Sequence, residues 1–422
     1  MAGMMEPFGE AVVVDAERCL NERHRAAGCR LCSAACPVDA LAFGDPHPAV
    51  DAAACVACGA CVAVCPTDAL APAAPWAPWR PPGGDGEGNT AIAMACPVNA
   101  APGEVPAPVE AAHRHDRCLA SLGLDRLLAL TAAGHRDVWL DDRPCEECPI
   151  GAARRTFAGH ALAASSLLAA LGAPGRVALV SDAPAGSYDP VAVVEVGAEP
   201  VSRRSLFRSL GLAGGRVMAE ALARRVGARE GRPKPVAQRL PHFLPASRRR
   251  LFAQLRRLAR FAEDQESPPE RSVAAGGLPF AAVVVDVAAC SACGLCARFC
   301  PTGALDFEIS QGEYRLTFAA APCLDCDICR VACPEEAVGC EDRLSWAELV
   351  TVRRRTVARG PVAPCEGCGE AAAMGAEATL CYTCRRTGGS SPYDDRGRLM
   401  ADVLRRISAP GQPTNRDGGE DE

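Results

Sequence analysis

The sequence "CVACGACVAVCP", Cys55–Pro66, spaces its four cysteines C-x2-C-x2-C-x3-C-P and decides the fold of the region around it. Just upstream, "CLNERHRAAGCRLCSAACP", Cys19–Pro37, ends in the same way but has nine residues between its first two cysteines. A gap of two residues suits a shared metal centre better than a disulfide between the two cysteines. Both stretches therefore predict metal-binding loops, and their difference raises the question whether the upstream loop is complete.

The composition of the whole chain fits this interpretation. Of the 422 residues, 25 are cysteine and 49% are apolar, so we expect several domains with buried cores. No run of 18 or more apolar residues is free of charges and helix breakers, which predicts no transmembrane helix. The N-terminal segment has no signal-peptide pattern. Because thiolate ligands need a reducing compartment, we expect a cytoplasmic protein.

The cysteine-rich region occurs twice. "VVVDAERC" at Val12–Cys19 recurs as "VVVDVAAC" at Val283–Cys290, and each copy leads into two cysteine clusters separated by a gap. A repeat of this kind indicates two homologous structural units. We therefore predict a first module at residues 1–72 and a second module at residues 278–345.

The cysteine spacing is typical of bacterial ferredoxins, in which the fourth cysteine of each motif binds the other [4Fe-4S] cluster. The second module resembles the two-cluster bacterial ferredoxins over about 60 residues, including the trailing "CPTGAL". Structural zinc is the weaker alternative, because zinc sites rarely come as two interlocked groups of four. The resemblance implies four [4Fe-4S] ligand sets, which we call sites A to D: Cys19, Cys29, Cys32 and Cys65 (A); Cys36, Cys55, Cys58 and Cys61 (B); Cys290, Cys293, Cys296 and Cys333 (C); Cys300, Cys323, Cys326 and Cys329 (D).

This pattern answers the question about the upstream stretch. Because each fourth cysteine binds the other cluster, site A lacks a ligand unless Cys19 supplies it. "LNERHRAAG" is then an insertion between two ligands, and its charged, Gly-ended composition predicts a surface loop. Two alternatives remain open, namely a three-iron cluster without Cys19 and a cluster with His24 as a substitute ligand.

Between the modules, the sequence predicts an α/β domain. A Pro- and Gly-rich linker at residues 73–89 is followed at residues 90–186 by strands "TAIAMAC", "RDVWLDD" and "RVALVSD" that alternate with helical segments. Strands that alternate with helices predict a parallel sheet, whose loops gather functional residues at one edge. Four cysteines follow or end these segments: Cys96, Cys118, Cys145 and Cys148.

The run from "CLASLGLDRLLAL" through "PCEECPIGAARRTFAGHALAASSLLAALGAPGRVALVSD" resembles the delta subunit of methyl-viologen-reducing hydrogenase over about 65 residues. The resemblance implies a further iron–sulfur cluster on Cys118, Cys145 and Cys148, together with Cys96. It departs from that subunit in lacking its cysteine-rich beginning. Zinc binding and ordinary thiols are the alternatives, since free cysteines are often core residues.

Near the C-terminus, "CEGCG" and "CYTC" form two C-x2-C knuckles separated by twelve residues. Such knuckles suit tetrahedral zinc and predict a zinc-ribbon-like unit at residues 360–388. Mononuclear iron of the rubredoxin type is the alternative. The four ligands are Cys365, Cys368, Cys381 and Cys384, which leaves Cys340 as a plain thiol. The polar residues 389–422 are predicted to be mostly disordered.

Residues 200–270 are predicted to form a basic helical linker. Residues 202–260 contain sixteen Lys or Arg and two Glu, although the whole chain has a formal charge of −6. "SRRSLFR", Ser202–Arg208, is similar to the twin-arginine export motif but is internal.

"SRRRLFAQLRRLARFA" predicts an amphipathic helix with Leu251, Leu255 and Leu258 on one side. This helix would pack on a neighbouring domain, or dock an acidic redox partner or an anionic membrane. No reader motif for nucleic acid accompanies the charge.

Together these features predict an α+β multidomain protein, with two ferredoxin-like double-cluster modules flanking an α/β parallel-sheet domain. We expect an electron carrier of the polyferredoxin type with about four [4Fe-4S] clusters and zinc, working with redox partners or in a larger oxidoreductase or hydrogenase-type complex. The chain has no nucleotide-binding or hydrolase motif, so an enzyme with its own substrate is the less favoured interpretation. The main alternative is an assembly or maturation factor for an oxidoreductase.

Overall fold

The computed structural model describes residues 8–44, 46–73, 90–99, 104–106, 109–173, 175–183, 188–195, 240–263, 272–369, 371–373 and 379–386. Most of the predicted linker at 73–89, the export-like motif at 202–208 and the tail at 389–422 lie outside these residues. In the described part of the chain, no helix combines the length and the apolar character needed to cross a membrane.

The first module has two small antiparallel sheets. Strand β1 (Val12–Val14) pairs with β4 (Leu70–Pro72), and β2 (Leu41–Phe43) pairs with β3 (Pro48–Val50). The short helices are α1 (Leu20–Arg23), α2 (Leu31–Ala34) and α3 (Ala60–Val64). Their core combines aliphatic side chains with thiols: Val12, Leu41, Leu70, Cys32 and Cys61 are all buried. The cysteines are therefore part of the core of the module, because its aliphatic side chains alone bury little apolar surface.

The middle domain contains a five-stranded parallel sheet in the order β11-β7-β5-β8-β9, so the predicted parallel sheet is confirmed. The sequence had indicated only β5, β8 and β9 of its five strands. The elements are β5 (Thr90–Ala95), β6 (Glu104–Pro106), β7 (Val109–Arg114), α4 (Leu124–Ala132), β8 (His135–Leu140), α5 (Arg154–Leu171), β9 (Arg176–Leu179), β10 (Tyr188–Pro190) and β11 (Ala192–Glu195). Helices α4 and α5 cover the sheet, and the leucines that face it are fully buried.

Helix α6 (Ala246–Glu263) connects three parts of the molecule. Its leucines Leu251, Leu255 and Leu258 are buried, as the packing interpretation of the amphipathic pattern predicts. At its N-terminus, the Ser247 hydroxyl donates a hydrogen bond of 2.5 Å to Asp68 of the first module. Its Arg250 forms an ion pair of 2.7 Å with Asp125 of the middle domain.

The second module repeats the first with a longer hairpin. Its strands are β12 (Ser272–Ala274), β13 (Ala282–Val285), β14 (Leu305–Ser310), β15 (Glu313–Phe318), β16 (Val338–Glu341), β17 (Arg343–Ser345) and β18 (Arg355–Pro361), and its helices are α7 (Leu295–Phe299), α8 (Ile328–Val331) and α9 (Trp346–Val350). Strand β13 pairs with β16 as β1 pairs with β4. The hairpin β14–β15 has β18 as a third strand, which leads the chain to the C-terminal unit.

The C-terminal unit is small. Strand β19 (Ala363–Pro364) pairs with β20 (Ala371–Ala372), and helix α10 (Tyr382–Arg386) follows. This part presents a cysteine cluster on a hairpin and one helical turn. The zinc-ribbon fold expected from the sequence stays a prediction.

Candidate metal centres

The four ferredoxin-type loops share an unusual backbone conformation. The residue directly before the second cysteine of each loop has a left-handed φ: 58° at Gly28, 53° at Ala57, 55° at Ala292 and 50° at Asp325. Non-glycine residues adopt this conformation at a cost of about 1–2 kcal/mol, so its recurrence indicates a functional constraint. Gly28 occupies the equivalent position in the upstream loop. Cys29 is therefore equivalent to the second cysteine of the regular loops, which supports the prediction that Cys19 is the first.

A second left-handed residue lies three positions after the fourth cysteine of each loop: Asp39, Asp68, Gly303 and Glu336, with φ between 50° and 68°. The turn brings a backbone N–H toward the preceding thiol. The N–H of Ala69 donates to Cys65 Sγ at 3.2 Å. A hydrogen bond to sulfur favours the thiolate over the thiol, as a ligand requires.

The thiols of the first module come together crosswise. Burial, together with the charges of Cys65, Cys29 and Cys19, raises the pKa of Cys32 to about 12. Cys65 thus lies with the upstream cysteines, although it belongs to the downstream loop. In the other set, burial and the charges of its three partners raise the pKa of Cys61. All four cysteines of site B line one cavity with about 330 Å³ of empty space.

The second module contains two more thiol-lined cavities. One has about 370 Å³ of empty space and is lined by all four cysteines of site C, with Val285, Phe307 and Leu316 among the apolar walls. The other has about 420 Å³ and is lined by all four cysteines of site D, and also by Cys340. Burial raises the pKa of Cys296 in site C to about 12 and that of Cys323 in site D to about 11.

These thiol groups fit iron–sulfur clusters chemically. Burial disfavours the charged form of each thiol, neighbouring thiolates also repel one another, and the raised pKa values express both costs. A bound metal centre reverses the cost, because its positive charge deprotonates coordinating thiols outright. The apolar walls would limit the access of water, which is one of the factors that set the potential of a cluster. The donor sets and their apolar surroundings are therefore chemically suited to [4Fe-4S] clusters.

The four middle-domain cysteines also meet, in a group that we call the middle site. Cys96, Cys118, Cys145 and Cys148 line a cavity with about 400 Å³ of empty space, beside Phe8 of the first module. Cys96 follows β5 directly, and Cys145 lies in a helical turn after β8, so the carboxyl edge of the sheet carries the group. Burial, with the charges of Cys96 and Cys148, raises the pKa of Cys145 to about 12.

Four residues that the sequence did not single out support the middle site. Asp141 accepts hydrogen bonds from Asn99 at 2.6 Å and from Arg143 at 2.7 Å. Gly151 packs directly against Cys145, so a Cβ at position 151 would lie 1.9 Å from the Cys145 carbonyl oxygen. The acidic pair at the end of "RDVWLDD" was the available signal for Asp141. No local signal marked Gly151, because the contact depends on how the loop folds back.

The C-terminal cysteines form the tightest group. One Sγ atom from each of Cys365, Cys368, Cys381 and Cys384 lies within 4.8 Å of the other three. The N–H of Cys381 donates to Cys365 Sγ at 3.0 Å, and such backbone hydrogen bonds lower the pKa of Cys365 to about 6. Four thiols at this separation suit one tetrahedral metal ion. The geometry supports a metal site and leaves the identity of the metal open.

Comparison with known families finds a 4Fe-4S dicluster domain twice, at residues 25–69 and 289–337. The first match begins after Cys19, so the assignment of Cys19 depends on the backbone pattern described above. Neither match reaches the middle domain, and the resemblance to the hydrogenase delta subunit is not shown. No curated protein matches the chain. The chain thus contains two ferredoxin-type 4Fe-4S domains, which indicate an iron–sulfur electron-transfer protein.

Proposed function

We propose that this protein is an electron carrier of the polyferredoxin type that holds four [4Fe-4S] clusters, one each at sites A to D. The observation that carries the proposal is the crosswise grouping of thiols, in which Cys65 lies with Cys19, Cys29 and Cys32. A structural zinc site does not need a ligand from a second loop. In two-cluster ferredoxins, by contrast, each [4Fe-4S] cluster (a cubane) takes its fourth cysteine from the loop of the other cluster.

Each residue class has a separate role in this carrier. A [4Fe-4S] cluster, when bound, accepts and releases one electron. The thiolates hold it, the apolar walls keep water away, and N–H groups such as that of Ala69 stabilise charge on sulfur. The chain's own contribution is therefore to fix the potential and the position of each centre.

We further propose a fifth iron–sulfur centre at the middle site. Its four thiols line one cavity, as those of sites B to D do, and they have the same chemistry. Burial raises the pKa of Cys118, and the charge of Cys58 from site B adds to that effect. This proximity supports electron exchange between the middle site and the first module.

The C-terminal group is proposed to bind zinc with a structural role. Four thiolates satisfy a closed tetrahedral site, which leaves no open position for catalysis. Zinc has no redox chemistry, and its binding energy would fold a unit with almost no core of its own. For the carrier as a whole, we propose a partner in a larger oxidoreductase complex, because the cavities described above are lined by cysteines of the proposed electron centres.

Anaerobic purification, elemental analysis and reductive titration test this function. Four cubanes give about 16 iron atoms per chain, the middle site adds about four, and the C-terminal group adds about one zinc. A carrier is reduced and reoxidised reversibly with retention of all its iron. Zinc in excess of iron would overturn the proposal. Iron that leaves for an apo-acceptor protein during the cycle would favour the assembly factor instead.

A further inference from the structure

The insertion between Cys19 and Cys29 is docked onto the second module. Arg23, at its centre, is only 8% exposed. Its guanidinium donates to the carbonyl oxygens of Phe299 at 2.8 Å, Cys300 at 3.0 Å and Pro241 at 3.0 Å. The neighbouring ring of His24 stacks edge-on against Phe299 with centroids 4.8 Å apart. The surface loop expected from the sequence is therefore a bridge between the modules.

Site D receives a second buried cation from helix α6. Arg248 is 5% exposed and lies over the ring of Phe280 at 4.3 Å. Its Nη1 is buried with no hydrogen-bond partner in the described part of the chain. The charges of Cys323 and Cys326 act on Arg248, and those of Cys300 and Cys326 act on Arg23. Two arginines from outside the second module thus flank the same set of thiols.

Two acidic groups near site D act in the opposite direction. Asp325 is exposed beside the ligands, and Asp327 forms a surface ion pair with Arg330 at 3.0 Å. Arg330 offsets the charge of Asp327, and both acidic groups lie at the solvent. Their field is therefore screened more strongly than the field of the two buried arginines. The net effect of the surroundings on site D is therefore positive.

From this arrangement we propose that Arg23 and Arg248 are positioning residues that raise the reduction potential of the cluster at site D. The proposal rests on the electron-carrier function above. Reduction adds one negative charge, and a fixed buried cation stabilises that charge more than it stabilises the oxidised form. Since both arginines come from other parts of the chain, the potential of site D depends on the docking of the modules.

The insertion provides a matched pair of variants for the test. Arg23→Gln removes the buried charge, whereas Arg25→Gln removes an exposed charge from the same loop. Arg23→Lys keeps the charge but loses the forked hydrogen bonds. Each holoprotein is titrated anaerobically at defined potentials, with reduced centres followed by electron paramagnetic resonance and iron content measured in parallel.

We expect Arg23→Gln to lower the ratio of reduced to oxidised site D about tenfold at a fixed potential, which is a shift of about 59 mV for one electron. Arg25→Gln should leave all potentials unchanged, and Arg23→Lys should give a smaller shift. In a Cys326→Ser background, which alters site D, the shift should disappear. Full iron content with no shift in Arg23→Gln overturns the proposal and leaves the carrier function intact. No reducible centre in the wild-type protein overturns both.

Discussion

Gly151 and Cys145 touch through their backbones: a Cβ at position 151 would lie 1.9 Å from the carbonyl oxygen of Cys145. Gly151 also donates its N–H to the carbonyl of Cys148 at 2.8 Å, so one residue holds the loop that carries both cysteines. No side chain fits between these backbones. The middle site therefore depends on a residue that has no ligand atom of its own.

Gly151→Ala is predicted to abolish the middle centre. The methyl group has to displace the Cys145 backbone, which moves the thiols apart. Iron content should fall by about four atoms per chain, while the centres in the two modules remain. Elemental analysis with electron paramagnetic resonance measures both. Retention of all iron in this variant would contradict the fifth centre or its dependence on this contact.

Gly159 provides the control for that substitution. It lies in α5 with open space around its Cα, and alanine is the better helix former there. We predict that Gly159→Ala leaves iron content unchanged and stabilises the domain by about 0.5–1 kcal/mol. A rise in the midpoint of thermal unfolding checks this.

Cys19→Ser is predicted to convert or lose the centre at site A only. The left-handed backbone at Gly28 supports Cys19 as the first cysteine of its loop, and we expect no other thiol of the loop to replace it. The spectra should change in one of the four ferredoxin-type centres. Arg25→Ser is the matched control, because Arg25 is an exposed residue of the same insertion and belongs to no proposed ligand set. Four unchanged cubanes in Cys19→Ser would refute the assignment.

Deletion of "LNERHRA", residues 20–26, restores a two-residue gap between Cys19 and Cys29. We predict that site A keeps its cluster, because the shortened loop has the regular spacing. The deletion also removes Arg23 and its bonds to the second module, so the modules should separate more easily. Unchanged iron with faster protease cleavage between the modules is the expected result. Loss of the cluster would show that the insertion itself supports site A.

The two ferredoxin-type domains were predictable because their information is local. Spacings of two and three residues are visible in the chain, and a pattern such as "CPTGAL" identifies the loop that follows. The parallel sheet was predictable for the same reason, from strands that alternate with helices. Strand β7 was missed, since "VEAAHR" carries charges and alanines, and only its neighbours β5 and β11 make it a strand.

The contacts between modules were not predictable from local patterns. Arg23 and Phe299 are 276 positions apart, and nothing near Arg23 shows which carbonyl groups it meets. In sequence, Arg23 is one of several charges in a loop of surface composition. Its burial becomes visible only when the second module and helix α6 are in place. The same holds for Arg248, one of three consecutive arginines of which the fold buries this one.

Removal of the C-terminal metal is predicted to leave the electron centres intact. Its four thiols are not among the residues that line the cavities of sites B to D, and they would bind an ion of their own. Cys381→Ser, or a chelator at neutral pH, should release about one zinc per chain. Iron content and the reductive titration should not change. If the cluster signals were lost together with the zinc, the C-terminal unit would have a role in stabilising the second module.

Leu255→Ala is predicted to weaken the packing of α6 between the middle domain and the second module. Leu255 is fully buried at the centre of α6, within a core shared by the middle domain and the second module. Truncation of such a leucine typically costs about 2–5 kcal/mol. Arg257→Ala, on the exposed side of the same helix, is the control and should change little. Because α6 also carries Arg248, the variant should lower both the midpoint of thermal unfolding and the potential of site D. An unfolding midpoint equal to that of Arg257→Ala would exclude α6 as the element that holds the modules together.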